Sequence, residues 1–133
     1  MLRIILLLLL FLPAKSSIQI KDAWMRPAAR GMNSAVYFEI INDGSSADTL
    51  YAVKSDLAKL TEMHETYQRG NMTGMRKVNN VVVKPKSSFK FQPGSHHIML
   101  ITMQKEMKQG DKATILLRFK HSGDIKVNVE VKM

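Results

Sequence analysis

The chain has 133 residues and a formal net charge of +9, and it contains ten methionines but no cysteine. This length suits one domain with a single hydrophobic core, and no cysteine is present for a disulfide framework, a thiolate metal site or lipid attachment. The lysines are dispersed rather than clustered with aromatic residues, which argues against a nucleic-acid-binding surface. The positive charge indicates either a solvated basic surface or steering towards an acidic partner or an anionic membrane face.

The N-terminal segment is typical of a secretory signal peptide. A short positive start ending at Arg3 precedes the apolar run Ile4–Leu12, and residues 14–16 have the small-x-small spacing that signal peptidases cleave. The apolar run is too short to cross a bilayer as a helix. We therefore expect residues 1–17 to be removed, with cleavage near residue 16 or 17, and residues 18–133 to form a mature periplasmic domain.

The rest of the chain predicts short strands separated by turns. Runs of β-branched, aromatic and alternating apolar residues, bounded by Gly, Pro, Asn and Asp, are typical of strands. These runs cover residues 18–25, 35–41, 49–53, 59–66, 81–84, 88–91, 97–102, 113–119 and 125–131. A polar loop is expected over residues 68–74 and a helical turn over residues 105–109. Frequent turns without a long helical period predict one all-β domain, an antiparallel sandwich or barrel.

Strand alternation assigns a face to two residues with metal-binding side chains. In the strand at residues 97–102, Ile98 and Leu100 are the natural core residues, so His97 and Met99 must both project from the opposite face. Met103 has the same parity as these two residues, which makes it a spare ligand or shielding residue.

Four residues form the spaced pattern H-x10-M-x21-H-x-M, namely His64, Met75, His97 and Met99. Thioether sulfur suits Cu(I), whereas imidazole suits copper, zinc, iron or nickel. Because the set includes neither thiolate nor carboxylate, it favours monovalent copper. The pattern leaves the side-chain direction of His64 open, and Met75 is expected to fold over the site from the end of a loop.

The other methionines and histidines have plainer interpretations, because methionine fills cores adaptably and single histidines are commonly structural or exposed. Core filling or simple exposure is expected for Met25, Met32, Met103 and Met107, and a structural or exposed role for His121. His96 lies at a turn with the parity of the core residues and is interpreted as a bystander. Met63 should point away from His64, while Met72 in the polar loop is a substitute for Met75.

The sequence resembles the periplasmic copper chaperone family PCu(A)C, whose motif is H-x10-M-x21-H-x-M. The four motif residues match position for position, and the likeness continues in the flanking segments 22–27, 63–66, 92–100 and 110–112. The resemblance implies a cupredoxin-like Greek-key β-sandwich that holds Cu(I) near its surface and delivers it to the copper site of a respiratory cytochrome oxidase. Some relatives carry a His/Met-rich C-terminal tail that adds Cu(II) capacity; this sequence stops at Met133 without one, so a second, Cu(II)-loading site is not expected.

These observations predict a copper chaperone rather than an enzyme, because no nucleophile–base pair or carboxylate pair stands out. The expected partners are a copper ion and a cytochrome oxidase copper-site subunit or another copper-delivery protein, with transient membrane-protein contact and no nucleic acid. The protein is expected to be a monomer. Transfer would begin by exchange of one thioether, and binding would weaken as the pH falls through about 6, because bound imidazole must be neutral.

Three other functions are alternatives to the copper chaperone. Periplasmic copper buffering or resistance without a dedicated client would use the same ligands. An electron-transfer cupredoxin would need a cysteine thiolate beside two histidines, which this chain does not contain. A structural sandwich with incidental methionines would bind no copper.

Overall fold

The computed structural model describes residues 17–133, so the predicted signal segment lies outside the described residues. Within this part of the chain there are ten strands and no helix: β1 Ile18–Met25, β2 Ser34–Asn42, β3 Asp48–Lys54, β4 Ala58–Arg69, β5 Met72–Val78, β6 Val81–Val83, β7 Ser87–Phe91, β8 His96–Met103, β9 Lys112–Phe119 and β10 Gly123–Val131. Consequently, residues 17–133 contain no helix long and apolar enough to cross a membrane. The prediction of an all-β domain is confirmed.

The strands form one continuous hydrogen-bonded sheet in the order β5-β4-β8-β2-β1-β10-β9-β3-β6. One edge of β2 has two partners, since Ser34–Val36 pairs with β8 and Phe38–Asn42 pairs with β7. β3, near one end of the path, contacts β4, near the other end. The sheet therefore curls round a single core, as in a sandwich.

One strand pair runs parallel, which corrects the expectation of a wholly antiparallel sheet. β1 and β10 pair in parallel, with Trp24 opposite Glu130 and Met25 opposite Val131. Hydrophobic alternation defines which face of a strand is buried but carries no information on the direction of its neighbour. A parallel pair needs a long connection, and here the connection is the whole domain between the first strand and the last.

The core is built from the inward-facing residues of nearly every strand. Its largest fully buried side chains include Phe38, Phe91, Phe119, Leu100 and Leu117. Among the methionines, Met25, Met63, Met103 and Met107 are buried in this core. Core filling is therefore confirmed for Met25, Met103 and Met107, whereas Met32 is exposed.

The prediction that Met103 is a spare ligand is wrong. Its side chain is only 1% exposed and belongs to the core cluster. Thr102, immediately before it, has a φ of 60°, and this left-handed residue interrupts the strict alternation of β8. The amide of Thr102 donates a hydrogen bond to the side-chain oxygen of Asn33, 2.9 Å away. Met103 thus lies in the core rather than beside Met99.

The helical turn expected over residues 105–109 is also absent from the described residues. This segment instead holds an isolated antiparallel bridge between Ala28 and Met107, with hydrogen bonds in both directions. The Met107 side chain is buried, and burying it requires extended backbone that reaches Ala28. A short polar segment with one apolar residue does not distinguish these two conformations.

A buried carboxylate fixes the turn between β9 and β10. Asp48, at the start of β3, accepts hydrogen bonds from the Ser122 hydroxyl and from the amides of His121, Ser122 and Thr49, at 2.6 to 3.0 Å. Burial acts to raise the pKa of Asp48, but the hydrogen bonds from Ser122, His121 and Thr49 outweigh it and lower the pKa overall. His121 therefore has a structural place in this turn through its backbone.

Replacing this carboxylate should destabilise the domain. Asp48→Asn puts an amide NH₂ group against N–H donors, and hydrogen bonds to charged groups contribute about 1.5–3 kcal/mol each. We expect the free energy of unfolding to fall by about 1–3 kcal/mol, measured by urea denaturation at pH 7. The exposed Asp56→Asn is the matched control and should leave it unchanged. Equal stability of the two variants would contradict the structural role of Asp48.

Candidate metal centre

Strand register places the four predicted ligands on one face of the sheet. β4 pairs with β8 so that His64 lies opposite His97, and with β5 so that Thr66 lies opposite Met75. Directly opposed residues project from the same face, and Met99 follows His97 by two positions on β8. The alternate residues of β4 and β8, such as Met63 and Ile98, are buried in the core. The predicted ligands therefore share the face that points away from the core, and this settles the direction of His64.

A tight hairpin sets the position of Met75. β4 continues to Arg69, which pairs with Met72 at the start of β5, so only Gly70 and Asn71 form the turn. Gly70 has a φ of 61°, the conformation that a type II′ turn requires at its first position. Met75 accordingly lies within a strand, and the expectation that it ends a loop is wrong. The polar residues 68–74 mark an exposed hairpin instead of a loop.

Three of the four predicted ligands line a pocket of about 320 Å³ beside the sheet. His97, Met99 and Met75 all line this pocket, together with Thr66 and Tyr37. His64 packs directly against His97, with 5.7 Å between the ring centroids. The His97 side chain is buried, at 5% exposure, whereas Met75 is 56% exposed. Two imidazoles and two thioethers thus lie in one region, and the exposure of their side chains increases from His97 to Met75.

One ring nitrogen of His64 has a hydrogen-bond partner, and the other has none. Its Nε2 lies 2.9 Å from Oε2 of Glu62, whose other oxygen is 3.8 Å from the Lys77 ammonium group. Nδ1 is buried and has no hydrogen-bond partner. The hydrogen bond from His64 lowers the pKa of Glu62, and the charge of Lys77 acts in the same direction. A buried nitrogen without a partner is costly unless something binds it, so the residues present fit a soft metal ion.

Tyr37 lies beside His97, and Trp24 packs against Tyr37. The ring centroid of His97 lies 6.4 Å from that of Tyr37, which in turn lies 4.8 Å from Trp24. Burial lowers the pKa of His97, the charges of His64 and His96 lower it further, and a hydrogen bond with the backbone of Ser95 opposes this in part. The lowered pKa of His97 favours the neutral imidazole, the form that binds a metal.

Arg26 covers the two aromatic residues at the edge of the pocket. Its guanidinium group stacks 5.7 Å from the Trp24 ring and 5.5 Å from the Tyr37 ring, and its Nε–H donates to the Tyr37 hydroxyl at 3.3 Å. Sequence reasoning missed Arg26 and Tyr37 as site residues. Most residues on both faces of β2 are apolar, so its alternation gave no signal for Tyr37.

The other residues considered as ligands lie elsewhere. Met63 is in the core, and Met72 is exposed beside the hairpin turn. His96 points to the opposite side from His97, where its ring packs 4.9 Å from Phe89 and its Nε2 lies 3.4 Å from Glu65. Within residues 17–133 there is no group of three His, Cys, Asp or Glu side chains that could hold a metal ion. A metal at this face would therefore depend on the thioethers.

Comparison with known proteins gives the family. The family described as "Putative lipoprotein LpqE-like" matches residues 18–131. The uncharacterized protein RP573 of Rickettsia prowazekii (strain Madrid E) is 30% identical over 125 residues, which cover 90% of this chain and 69% of that protein. The putative lipoprotein Lxx21020 of Leifsonia xyli subsp. xyli (strain CTCB07) is 28% identical over 116 residues, covering 86% and 69%. The chain belongs to the LpqE-like family.

Solved structures give the fold. The copper-bound PCuAC domain from PmoF2 superimposes with a TM-score of 0.74 at 22% identity, covering 90% of this chain and 95% of that one. The solution structure of CuI-DR1885 from Deinococcus radiodurans gives a TM-score of 0.65 at 22% identity, covering 85% and 78%. The cupredoxin-like β fold and the resemblance to PCu(A)C proteins are thereby confirmed.

The lowered pKa of His97 predicts how the stability of the metal-free protein depends on pH. In the unfolded chain His97 binds a proton near its ordinary pKa of about 6.5, whereas in the fold it stays neutral to lower pH. The unfolded state then binds more protons, so the free energy of unfolding should fall as the pH drops below about 6.5. Chemical denaturation between pH 7.5 and 5 measures this slope.

His97→Gln should flatten the slope, because it removes the group whose pKa differs between the two states. His121→Gln, in an exposed turn, is the matched control and should retain the slope of the unmodified protein. An unchanged slope in His97→Gln would show that burial of neutral His97 does not govern the acid sensitivity.

Proposed function

We propose that the protein is a periplasmic copper chaperone that binds one Cu(I) through His64, Met75, His97 and Met99. The observation that carries the proposal is the strand register, which gathers these four side chains on one face. Three of them line one pocket, and His64 packs against His97. The unpartnered Nδ1 of His64 supports it, because a buried lone pair is left for a ligand.

The donor set suits monovalent copper. Thioethers are soft, neutral ligands that favour Cu(I), and neutral imidazole completes the set without a thiolate. The chain contains no cysteine, so the site cannot be lost to thiol oxidation in an oxidising compartment. A blue-copper electron-transfer site needs a cysteine ligand, which makes that alternative function a poor fit.

The graded exposure of the ligands supports a carrier role. The buried His97 would retain the ion, while the exposed Met75 is the ligand that an incoming donor reaches first. Transfer would then begin by replacement of the Met75 thioether, and the ion would pass to the partner one ligand at a time. No catalytic step is required of the protein.

The relatives support copper binding and export. One structural neighbour is described as copper-bound and another as the CuI form. The relative from Leifsonia is named a putative lipoprotein, a class of exported protein. Together with the signal-like residues 1–17, this supports cleavage of a signal peptide and a periplasmic location.

The proposed client is the copper-site subunit of a respiratory cytochrome oxidase, as the resemblance to PCu(A)C proteins implies. The alternative is copper buffering or resistance with no dedicated client, because the same ligands would serve both. To distinguish these two functions, the Cu(I)-loaded protein is mixed anaerobically with the metal-free oxidase subunit, the two proteins are separated, and the copper content of each is measured. Transfer to the subunit in preference to a small-molecule chelator supports delivery, and retention of copper by this protein supports buffering.

The first test is an anaerobic Cu(I) titration of residues 18–133 against a chromogenic competitor, with X-ray absorption on the loaded sample. We expect one tightly bound equivalent with mixed sulfur and nitrogen scattering. Trp24 lies one aromatic ring away from His97 and is the only tryptophan, so its fluorescence should change with the same stoichiometry. Failure to compete, or only nitrogen and oxygen scattering, would reject the proposed site.

Removing either thioether should weaken Cu(I) binding. Met75→Leu and Met99→Leu keep side-chain size but remove the sulfur donor, and the loss should at least match the ten- to hundredfold typical of outer-shell changes. Met72→Leu, three residues from Met75 on the same exposed strand, is the matched control. It should bind like the unmodified protein, and equal affinity for all three variants would contradict thioether ligation.

A further inference from the structure

Glu62 and His64 form a carboxylate–imidazole pair on the site face of β4. They lie two positions apart on one strand, so both side chains project in the same direction, with Oε2 and Nε2 2.9 Å apart. The register also places Glu62 directly opposite Met99 on β8. The pair is thus part of the same row of side chains as the proposed ligands.

The chemistry of this pair determines where the imidazole proton resides. An ionised carboxylate only accepts hydrogen bonds, so Nε2 must be the protonated nitrogen of the pair. In a neutral imidazole the lone pair then lies on Nδ1, which is the buried nitrogen without a partner. The opposite tautomer would leave a buried N–H donor with no acceptor and an Nε2 lone pair against a carboxylate.

From this geometry we infer that Glu62 is a positioning residue that holds His64 as the Nε2–H tautomer and presents Nδ1 as its metal-binding atom. The inference rests on the proposed function, since it specifies which atom binds the copper. Metal-bound histidines commonly donate their other ring N–H to a carboxylate, which fixes the ring orientation and raises ligand basicity. Glu62 occupies the position of such a carboxylate relative to His64.

A further contact orients Glu62 itself. Its second carboxylate oxygen lies 3.8 Å from the ammonium group of Lys77, which is the direct cross-strand neighbour of His64 on β5. Lys77, Glu62 and His64 thus form a chain of contacts across two strands. The carboxylate is held between a cation and the imidazole it orients.

The test begins on the metal-free protein, using long-range ¹H–¹⁵N NMR of the histidine rings at pH 7.5. His64 should show a protonated Nε2 and an unprotonated Nδ1. Glu62→Ala should shift it towards a mixture of tautomers, and Glu62→Gln, which keeps an acceptor oxygen, should largely preserve the tautomer. Glu65→Gln is the matched control, because Glu65 contacts Arg76 and His96 instead and its loss should leave His64 unchanged.

Cu(I) is diamagnetic, so the same spectra identify the bound nitrogen. Addition of Cu(I) should shift Nδ1 of His64 strongly and Nε2 little, and Glu62→Ala should lower the Cu(I) affinity by roughly tenfold or more. The Gln variant should restore most of the affinity. Circular dichroism verifies that each variant is folded, and the tautomer and copper-bound nitrogen of the unmodified protein test the inference if the Ala variant does not fold.

The outcomes separate the inference from the proposed function. An Nδ1–H tautomer in the metal-free protein, or copper on Nε2, overturns the role of Glu62 while leaving copper binding intact. An Nε2–H tautomer in a protein that fails to bind Cu(I) overturns the proposed function and, with it, the assignment of Nδ1 as a metal ligand.

Discussion

The antiparallel register of β4 with its two neighbours is the constraint on which the site depends. β4 contributes His64, and its pairings with β8 and β5 decide whether the other three side chains lie on the same face. A slip of one residue on either side would turn a ligand to the opposite face. Burial of Met63 and Ile98 fixes one pairing, and the two-residue turn at Gly70 fixes the other. Core packing and turn geometry together therefore determine the arrangement of the proposed ligands.

Much of this architecture can be predicted from alternation of apolar residues. Ile98 and Leu100 define the core face of β8, so the opposite direction of His97 and Met99 follows directly. Met75 is harder to place, because a hairpin that projects into solvent is polar on both faces and its sequence is indistinguishable from that of a loop. Only the pairing of Arg69 with Met72 shows that the two strands continue to the turn.

Other features depend on information that a periodic pattern does not contain. A single left-handed residue at Thr102 separates Met103 from the ligand face, and parity cannot predict it. The parallel pairing of β1 with β10, which places Trp24 opposite Glu130, is a property of topology rather than of either strand. Glu62 is the one overlooked site residue whose position the sequence pattern does indicate. It lies two positions from His64 on the same strand, so the two side chains share a face.

The position of the β4–β5 hairpin at the end of the sheet has a consequence for association between copies of the protein. β5 has only β4 as a strand partner in the described residues, so the backbone groups along its other edge are open to a further strand. Arg76 and Lys77 are exposed on this strand, next to Met75. Two such edges brought together would oppose like charges, which disfavours edge-to-edge aggregation. β5, which carries the exposed proposed ligand Met75, therefore stays accessible to solvent without promoting aggregation.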